Sequence, residues 1–288
     1  MPNKLNKKIN NILIVGLGLI GASLCKSLKK KSIYKNIIGY DNDNAVLDYA
    51  TENNIVDQAT KDLSNGVEKA DLIVICTPVS EINNILKNIQ SFLNTDKIFT
   101  DTLSSKNSII NSINDIGIKN INNFVFSHPM AGTENYGIKY SKDNLFNNAT
   151  TIISPMESSS KSTIEIVKLF WQSIDTVCVE ILASEHDNFL SVISHSPHVI
   201  SYALANNVKK TKYDEKFPWI NKSGSLYDLT RIAKSDPEAW TNIIMDNKDN
   251  IINFIDEYIL ELDLIKSKID SDNPNDLFTY LKNSKPKN

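Results

Sequence analysis

The stretch Asn11-Ile-Leu-Ile-Val-Gly-Leu-Gly-Leu-Ile-Gly21 constrains this chain more than any other. Its apolar run, Ile12 to Val15, reads as a buried strand. Gly16, Gly18 and Gly21 follow as G-x-G-x-x-G, and Ala22–Leu28 continues at helical spacing. Each glycine has a physical task. Gly16 permits a tight turn, Gly18 lets backbone approach a pyrophosphate, and Gly21 lets helix and strand pack closely. The helix start adds unpaired N–H groups and a positive dipole end. Residues Gly16, Leu17, Gly18, Leu19, Ile20 and Gly21 are thus the candidate dinucleotide cradle. Alone, the pattern also describes a glycine-rich turn between core elements. The flanking strand and helix, and an acid beyond them, favour the dinucleotide.

That acid is Asp41, at the end of the strand-like Lys35–Asp41. It falls about 20 residues past the loop, where a carboxylate bonds both ribose hydroxyls of NAD and repels a 2′-phosphate. NAD is therefore expected over NADP. The competing reading makes Asp41 a cap for a helix from Asn44 to Glu52.

Ala70–Pro78 is a further continuous apolar strand, of the kind buried on both faces of a parallel sheet. Pro78 ends it, which places Thr77 and Pro78 beside the cofactor. Helix (Ile82, Ile85, Leu86, Ile89) and strand (Lys97–Thr100, Phe124–Phe126, Thr150–Ser154, Thr176–Val179) then alternate. This predicts a doubly wound, Rossmann-like α/β domain over residues 1–181. From residue 182 to 288 the pattern is helical. Ile251, Ile255, Tyr258, Leu262, Ile265 and Ile269 form an apolar seam that serves equally as internal core or as a subunit interface.

A net charge of −3 gives no global basic field for nucleic acid. No apolar run reaches the roughly 18 residues that span a bilayer. Three isolated cysteines, Cys25, Cys76 and Cys178, fit a reducing compartment, so the chain reads as cytoplasmic.

Few side chains suit chemistry. His128 ends a predicted strand, followed by Pro129 and Gly132, where an imidazole would accept a hydroxyl proton as hydride leaves the same carbon. A turn histidine bonding backbone is the bland alternative. His195-Ser-Pro-His198 could suggest a zinc pair, but it lacks helical i, i+4 spacing and a third ligand, so no metal is expected. His186-Asp187 reads as a helix N-terminal feature, and Ser104 or Ser105 as a helix cap. Arg231, an arginine in a lysine-rich chain, suits bidentate carboxylate binding, or else pairs with Asp228 one helical turn away.

Together these pieces resemble the prephenate/arogenate dehydrogenases, the TyrA family of tyrosine biosynthesis. The resemblance rests on Gly16–Gly21, Asp101-x-x-Ser104-x-Lys106, His128-Pro-x-x-Gly-Thr-Glu134, His186-Asp, Ser194-His-x-Pro-His198, Asp228-x-Thr-Arg-Ile-Ala233 and Ser235-Asp-Pro-x-x-Trp240. It implies that His128 is the catalytic histidine and that Ser104 bonds the same ring hydroxyl. It further implies that Arg231 grips a substrate carboxylate, and that Thr133, Glu134, His198 and Trp240 line the pocket, the tryptophan near a partner subunit. The implied reaction is NAD-dependent oxidative decarboxylation of prephenate, or of arogenate in single- or dual-specificity (cyclohexadienyl) enzymes. The implied assembly is a homodimer through an all-α C-terminal dimerisation domain. Ser196 and Tyr136 depart from the family pattern and are expected to reshape the pocket wall. No appended regulatory domain is expected.

Overall fold

A computed structural model describes residues 9–117, 121–133, 135–211 and 224–286. Five parallel strands form its first sheet: β1 (Asn11–Val15), β2 (Asn36–Tyr40), β3 (Gln58–Thr60), β4 (Leu72–Ile75) and β5 (Ile98–Asp101), in the order β3-β2-β1-β4-β5. The chain lays β2 and β3 on one side of β1, then crosses to place β4 and β5 on the other. That reversal opens a crevice beyond the carboxyl ends of β1 and β4, the usual ligand position in such sheets. Ile12–Val15 and Leu72–Ile75 have no solvent exposure, as their unbroken apolar character requires. Two apolar layers cover the faces, one built on Ile12, Ile14 and α1 (Leu19–Lys31), the other on Leu13, Val15 and α4 (Ile82–Ile89). Helices α2 (Asn44–Glu52) and α3 (Leu63–Lys69) complete the crossovers.

A second group of strands departs from simple winding. β6 (Val125–Pro129) runs beside β5 through a parallel Phe99–Phe124 bridge, β7 (Thr150–Pro155) is antiparallel to β6, and β8 (Val177–Glu180) is parallel to β7. A parallel pair needs a crossover element. α6 (Lys161–Gln172) supplies one between β7 and β8, whereas the described part of the β6–β7 connection holds only a 3₁₀ turn, Ile138–Tyr140. Strand β3 was not anticipated. It has three residues, none fully buried, and no apolar run to announce it.

After β8 the described chain is helical: α7 (Ala183–Leu190), a π turn (Ser191–His195), α8 (Ser196–Lys210), α9 (Gly224–Thr230), a 3₁₀ turn (Arg231–Lys234), α10 (Pro237–Asp246), α11 (Lys248–Asp270) and α12 (Pro274–Asn283). Pro197 follows directly on the π turn, as the second residue of α8, within a helical run continuous from α7. Along the predicted α11 seam only Ile251 is buried; Leu262 is 48% and Ile269 60% exposed. The seam is not internal core of the described chain. Among the described residues no helix is long and apolar enough to cross a membrane.

Candidate functional site

The glycine loop turns at the crevice. Gly16 has φ +95°, and a methyl there would press within 3.0 Å of the Cys76 carbonyl oxygen at the end of β4. A methyl on Gly21 would overlap the Gly16 carbonyl oxygen, so α1 can lie this close only with glycine. At Gly18 the same methyl would meet nothing within 4 Å. It is the N-cap of α1, whose first turn carries no side-chain cap and no acid. Open space over unpaired N–H groups is what a pyrophosphate needs. Thr77 leaves a buried, unpartnered hydroxyl at the neighbouring strand end.

Asp41 braces this loop. Its carboxylate accepts from the Leu17 N–H at 2.9 Å and from the Asp43 N–H at 3.0 Å. The capping alternative belongs to Asp43, whose side chain accepts from Ala45 N–H at the start of α2. One backbone bond on each Asp41 oxygen leaves lone pairs for ribose hydroxyls.

Across the crevice lies a cavity of about 580 Å³ between the sheet ends and the helical half. Ser104, His128, Thr133, His198, Arg231 and Trp240 all line it, drawn from residues far apart in sequence. Glu134 lies outside the described residues. Ile20, from the glycine loop's helix, also lines the cavity and joins the two sites. Neither Ser196, fully buried elsewhere, nor Tyr136, 74% exposed, is part of the lining, so neither shapes this wall as expected.

His128 ends β6 and is held from behind. Its Nδ1 lies 3.1 Å from His186 Nε2, and His186 Nδ1 lies 2.7 Å from Asp187 Oδ1. A carboxylate only accepts, so His186 carries its proton on Nδ1 and offers Nε2 as acceptor. His128 must then donate from Nδ1, leaving a bare Nε2. Among the described residues that nitrogen makes no hydrogen bond, and its ring lines the cavity. Burial, then the His186, Lys106 and His195 rings and charges, hold the His128 imidazolium well below the usual histidine range. His186, held down to about 2 chiefly by burial, also stays neutral.

His186 closes the first turn of α7, its N–H bonding the Leu182 carbonyl oxygen, and Asp187 follows it without capping that helix. Asp187 instead caps α5 (Asn107–Ile116), accepting the Lys106 N–H at 2.8 and 2.9 Å and the Asn107 N–H at 2.9 Å. Ser104 and Ser105, the expected caps, do not serve: the N-cap position is Lys106, and the oxygen comes from 80 residues downstream. Burial pushes the Asp187 carboxyl up, and these amides pull it back.

A fully buried ion pair underlies both loops. Lys106 Nζ donates to Asp101 Oδ2 (2.5 Å), Leu103 O (2.8 Å) and Ser127 O (2.9 Å), using all three protons. Asp101 in turn accepts the Leu103 and Ser127 N–H groups. Burial raises the Asp101 carboxyl and lowers the Lys106 ammonium, each opposed by its partner's charge. Leu103 and Ser127 directly precede Ser104 and His128, so one pair sets the backbone of both. Sequence reasoning assigned Asp101, Lys106 and Asp187 no such roles. The signal present in the residues is an acid and a lysine five apart at a strand's carboxyl end, where binding groups congregate.

Arg231 and Lys234 are exposed cations on the cavity wall. Among the described residues no ion pair joins Arg231 to Asp228 or to another acid. Trp240 stacks on His198 of its own chain, centroids 3.5 Å apart and planes at 20°. No group of histidine, cysteine and acidic residues suited to a metal occurs among the described residues.

Comparisons with known proteins agree with this layout. The profile "Prephenate dehydrogenase, nucleotide-binding domain" matches residues 24–180, and "Prephenate dehydrogenase, dimerization domain" matches residues 182–283. A prephenate dehydrogenase of Bacillus subtilis is 32% identical over 98% of this chain and 76% of its own length. A cyclohexadienyl dehydrogenase of Zymomonas mobilis is 32% identical over 95% of this chain and 93% of its own. Among solved structures, prephenate dehydrogenase from Aquifex aeolicus, in complex with hydroxyphenyl propionate and NAD+, superposes with a TM-score of 0.85. It is 31% identical and covers 96% of both chains. With two profiles covering most of its length and relatives above 30% identity along nearly all of it, this chain belongs to the prephenate dehydrogenase family.

Proposed function

We propose that this protein is an NAD-dependent prephenate dehydrogenase, converting prephenate to 4-hydroxyphenylpyruvate and CO₂. The observation that carries this reading is the bare Nε2 of His128, facing a cavity that adjoins the glycine cradle and is lined by Arg231, which has no acid partner among the described residues. Support for NAD comes from the open space at Gly18, the acid at Asp41 and the cofactor named in the Aquifex relative's structure. When bound, NAD⁺ supplies the hydride acceptor.

His128 Nε2 accepts the proton of the substrate's ring hydroxyl as hydride leaves the same carbon, so that carbon becomes a ketone. Ser104 bonds the same oxygen and holds it toward His128. The C–C bond to the ring carboxylate then breaks, its electron pair flows through the ring to the ketone oxygen, and CO₂ departs. His128 returns its proton to that oxygen, giving the phenol. Arg231 grips a carboxylate at the far end of the substrate, turning the reacting carbon toward the cofactor site. Orientation of this kind is worth up to roughly 7–11 kcal/mol. Thr133, His198 and Trp240 complete the wall, and Thr77 and Pro78 lie at the strand end facing the glycine loop.

The chain divides into an α/β cofactor domain over residues 1–181 and a helical domain over 182–288 that pairs two copies through exposed apolar faces of α11 and α12. A cytoplasmic location is the matching cellular reading. NADH absorbance with prephenate and NAD⁺, run in parallel with arogenate and NADP⁺, tests the assignment. Turnover of prephenate with NAD⁺ at the highest kcat/KM is expected; a preference for arogenate would make it an arogenate dehydrogenase, comparable use of both a cyclohexadienyl dehydrogenase, and no turnover would end the reading.

A further inference from the structure

Asn247, at the junction of α10 and α11, fixes the proton on a second imidazole. Its side-chain nitrogen donates to the Asp187 carbonyl oxygen at 2.7 Å and lies 2.9 Å from His195 Nδ1. This amide cannot be turned round. A carbonyl takes only a donor, and the Asn247 side-chain oxygen already accepts from Asn250 Nδ2 at 2.8 Å. His195 Nδ1 is therefore an acceptor, and the neutral ring carries its proton on Nε2. Burial, the largest influence, holds this imidazole down to about 4, which keeps the ring neutral.

His195 is 1% exposed, yet it lines the cavity, and its Nε2 is buried without a formed hydrogen bond among the described residues. A backbone acceptor of Ser104 faces the ring without meeting the criteria for a hydrogen bond. Leaving a buried donor without a partner is unfavourable, so this N–H favours any arrangement that gives it an acceptor. Hydrogen bonds around a reacting group shorten and align when substrate is bound. His128 and His195 thus present opposite polarities to one cavity, a bare nitrogen and an N–H, and both are set from Asp187. The Asp187 carboxylate acts on His128 through His186; its carbonyl acts on His195 through Asn247.

We propose that His195 is a positioning residue for Ser104: a donor locked by Asn247 that closes on the Ser104 carbonyl when substrate fills the cavity, fixing the serine hydroxyl against the ring hydroxyl. The inference rests on the reading in which Ser104 meets that hydroxyl. It also gives the helical half a direct hold on the loop after β5, since Asn247 sits between two of its helices.

Ring ¹⁵N–¹H correlation spectra of the full-length protein, with and without Asn247→Ala, test the lock. His195 is expected to carry its proton on Nε2 in the wild type and to lose that preference in N247A. The same variant should lower kcat with prephenate about 10- to 100-fold, the worth of one well-placed hydrogen bond, while KM for NAD⁺ stays within about twofold. His195→Gln keeps a donor and should stay within about tenfold of wild type, whereas His195→Leu should fall further. A wild-type proton on Nδ1 overturns the proposal. So does a released tautomer with unchanged kcat, or equal kcat for the Gln and Leu variants. If the Leu variant does not fold, N247A and H195Q carry the decision. A wild-type enzyme inert toward prephenate removes the functional reading instead, and the spectra then still report whether Asn247 locks the ring.

Discussion

His128 and His186 stand 58 residues apart in sequence, one on β6 and one on α7, and meet with Nδ1 3.1 Å from Nε2. The contact makes the base a product of both halves of the chain. Asp187 orients the pair and also caps α5, so Asp187→Asn attacks two functions at once. The amide can donate to His186 Nδ1, which frees His128 to take the wrong tautomer. In a related carboxylate–histidine arrangement the equivalent change costs about 10⁴ in kcat. Acting through one more imidazole, D187N should cost about 10²–10⁴ in kcat, with about 0.5–2 kcal/mol lost from the cap. Steady-state kinetics and thermal unfolding measure the two effects separately; unchanged kcat would break the relay.

Stability should depend on pH through the same rings. His128, His186 and His195 are held neutral by burial, each with its folded-state protonation pushed below the ordinary value near 6.5. In the unfolded chain all three take up protons below about 6.5, so the unfolded state binds more. Stability is therefore fully present above that pH and falls as acid is added. For His195, a fall to about 4 corresponds to roughly 3 kcal/mol lost by the bottom of that window. Urea midpoints at pH 7.5 and 5 measure this. The acid limb of kcat/KM should likewise lie well below 6.5, and an inflection at 6.5 assigned to His128 would contradict its burial.

Much of this arrangement was legible in the residues. Buried parallel strands announce themselves as unbroken apolar runs, and the close approaches that require glycine at Gly16 and Gly21 follow from the motif's spacing. The position of His128 after a strand and before Pro129 told where it would lie. Its tautomer was not legible, because that depends on His186 and Asp187 arriving from another element. The cap on α5 was misassigned to Ser104 or Ser105 for the same reason: local rules choose the nearest oxygen, and tertiary structure supplied Asp187. The antiparallel turn of β7 was equally hidden, since strand periodicity carries no direction.

Gly18 and Gly21 should separate cofactor binding from folding. Gly21→Ala drives its methyl into the Gly16 carbonyl oxygen, a backbone atom that cannot move aside. Overpacking of this kind costs about 1–3 kcal/mol or more, and the melting temperature should drop. Gly18→Ala meets nothing within 4 Å and should leave the melting temperature nearly unchanged, while its methyl occupies the space over the α1 N-terminus. NAD⁺ affinity, read by fluorescence titration, should then fall about tenfold or more, equivalent to about 1.4 kcal/mol. Intact affinity in G18A would place the pyrophosphate elsewhere.

Arg231 has no acid partner among the described residues, so its guanidinium is free for a carboxylate. Removing a hydrogen bond to a charged group costs about 1.5–3 kcal/mol. Arg231→Ala should raise KM for prephenate about 10- to 100-fold with kcat much less affected. Arg231→Lys should recover only part of this, because an ammonium cannot copy the planar fork. An unchanged KM in R231A would take the residue out of the substrate site.

The helices at the chain's end predict association. Tyr258 is 36%, Leu262 48% and Ile269 60% exposed along one face of α11, and Phe278 66% and Leu281 50% exposed on α12. Isolated apolar residues on a surface need no explanation, but several along one helix pair exceed what a monomer keeps in water. In the proposed dimer this face packs on a second copy, and a two-fold interface uses the same patch twice. A carboxylate placed at its centre appears from both sides and is buried against its own image, which is costly without a partner. Leu262→Asp should therefore shift the molecular mass measured by light scattering from dimer toward monomer at micromolar concentration. Glu257→Gln, an exposed polar change on the same helix, should not. A dimer of unchanged stability in L262D would locate the interface on another surface.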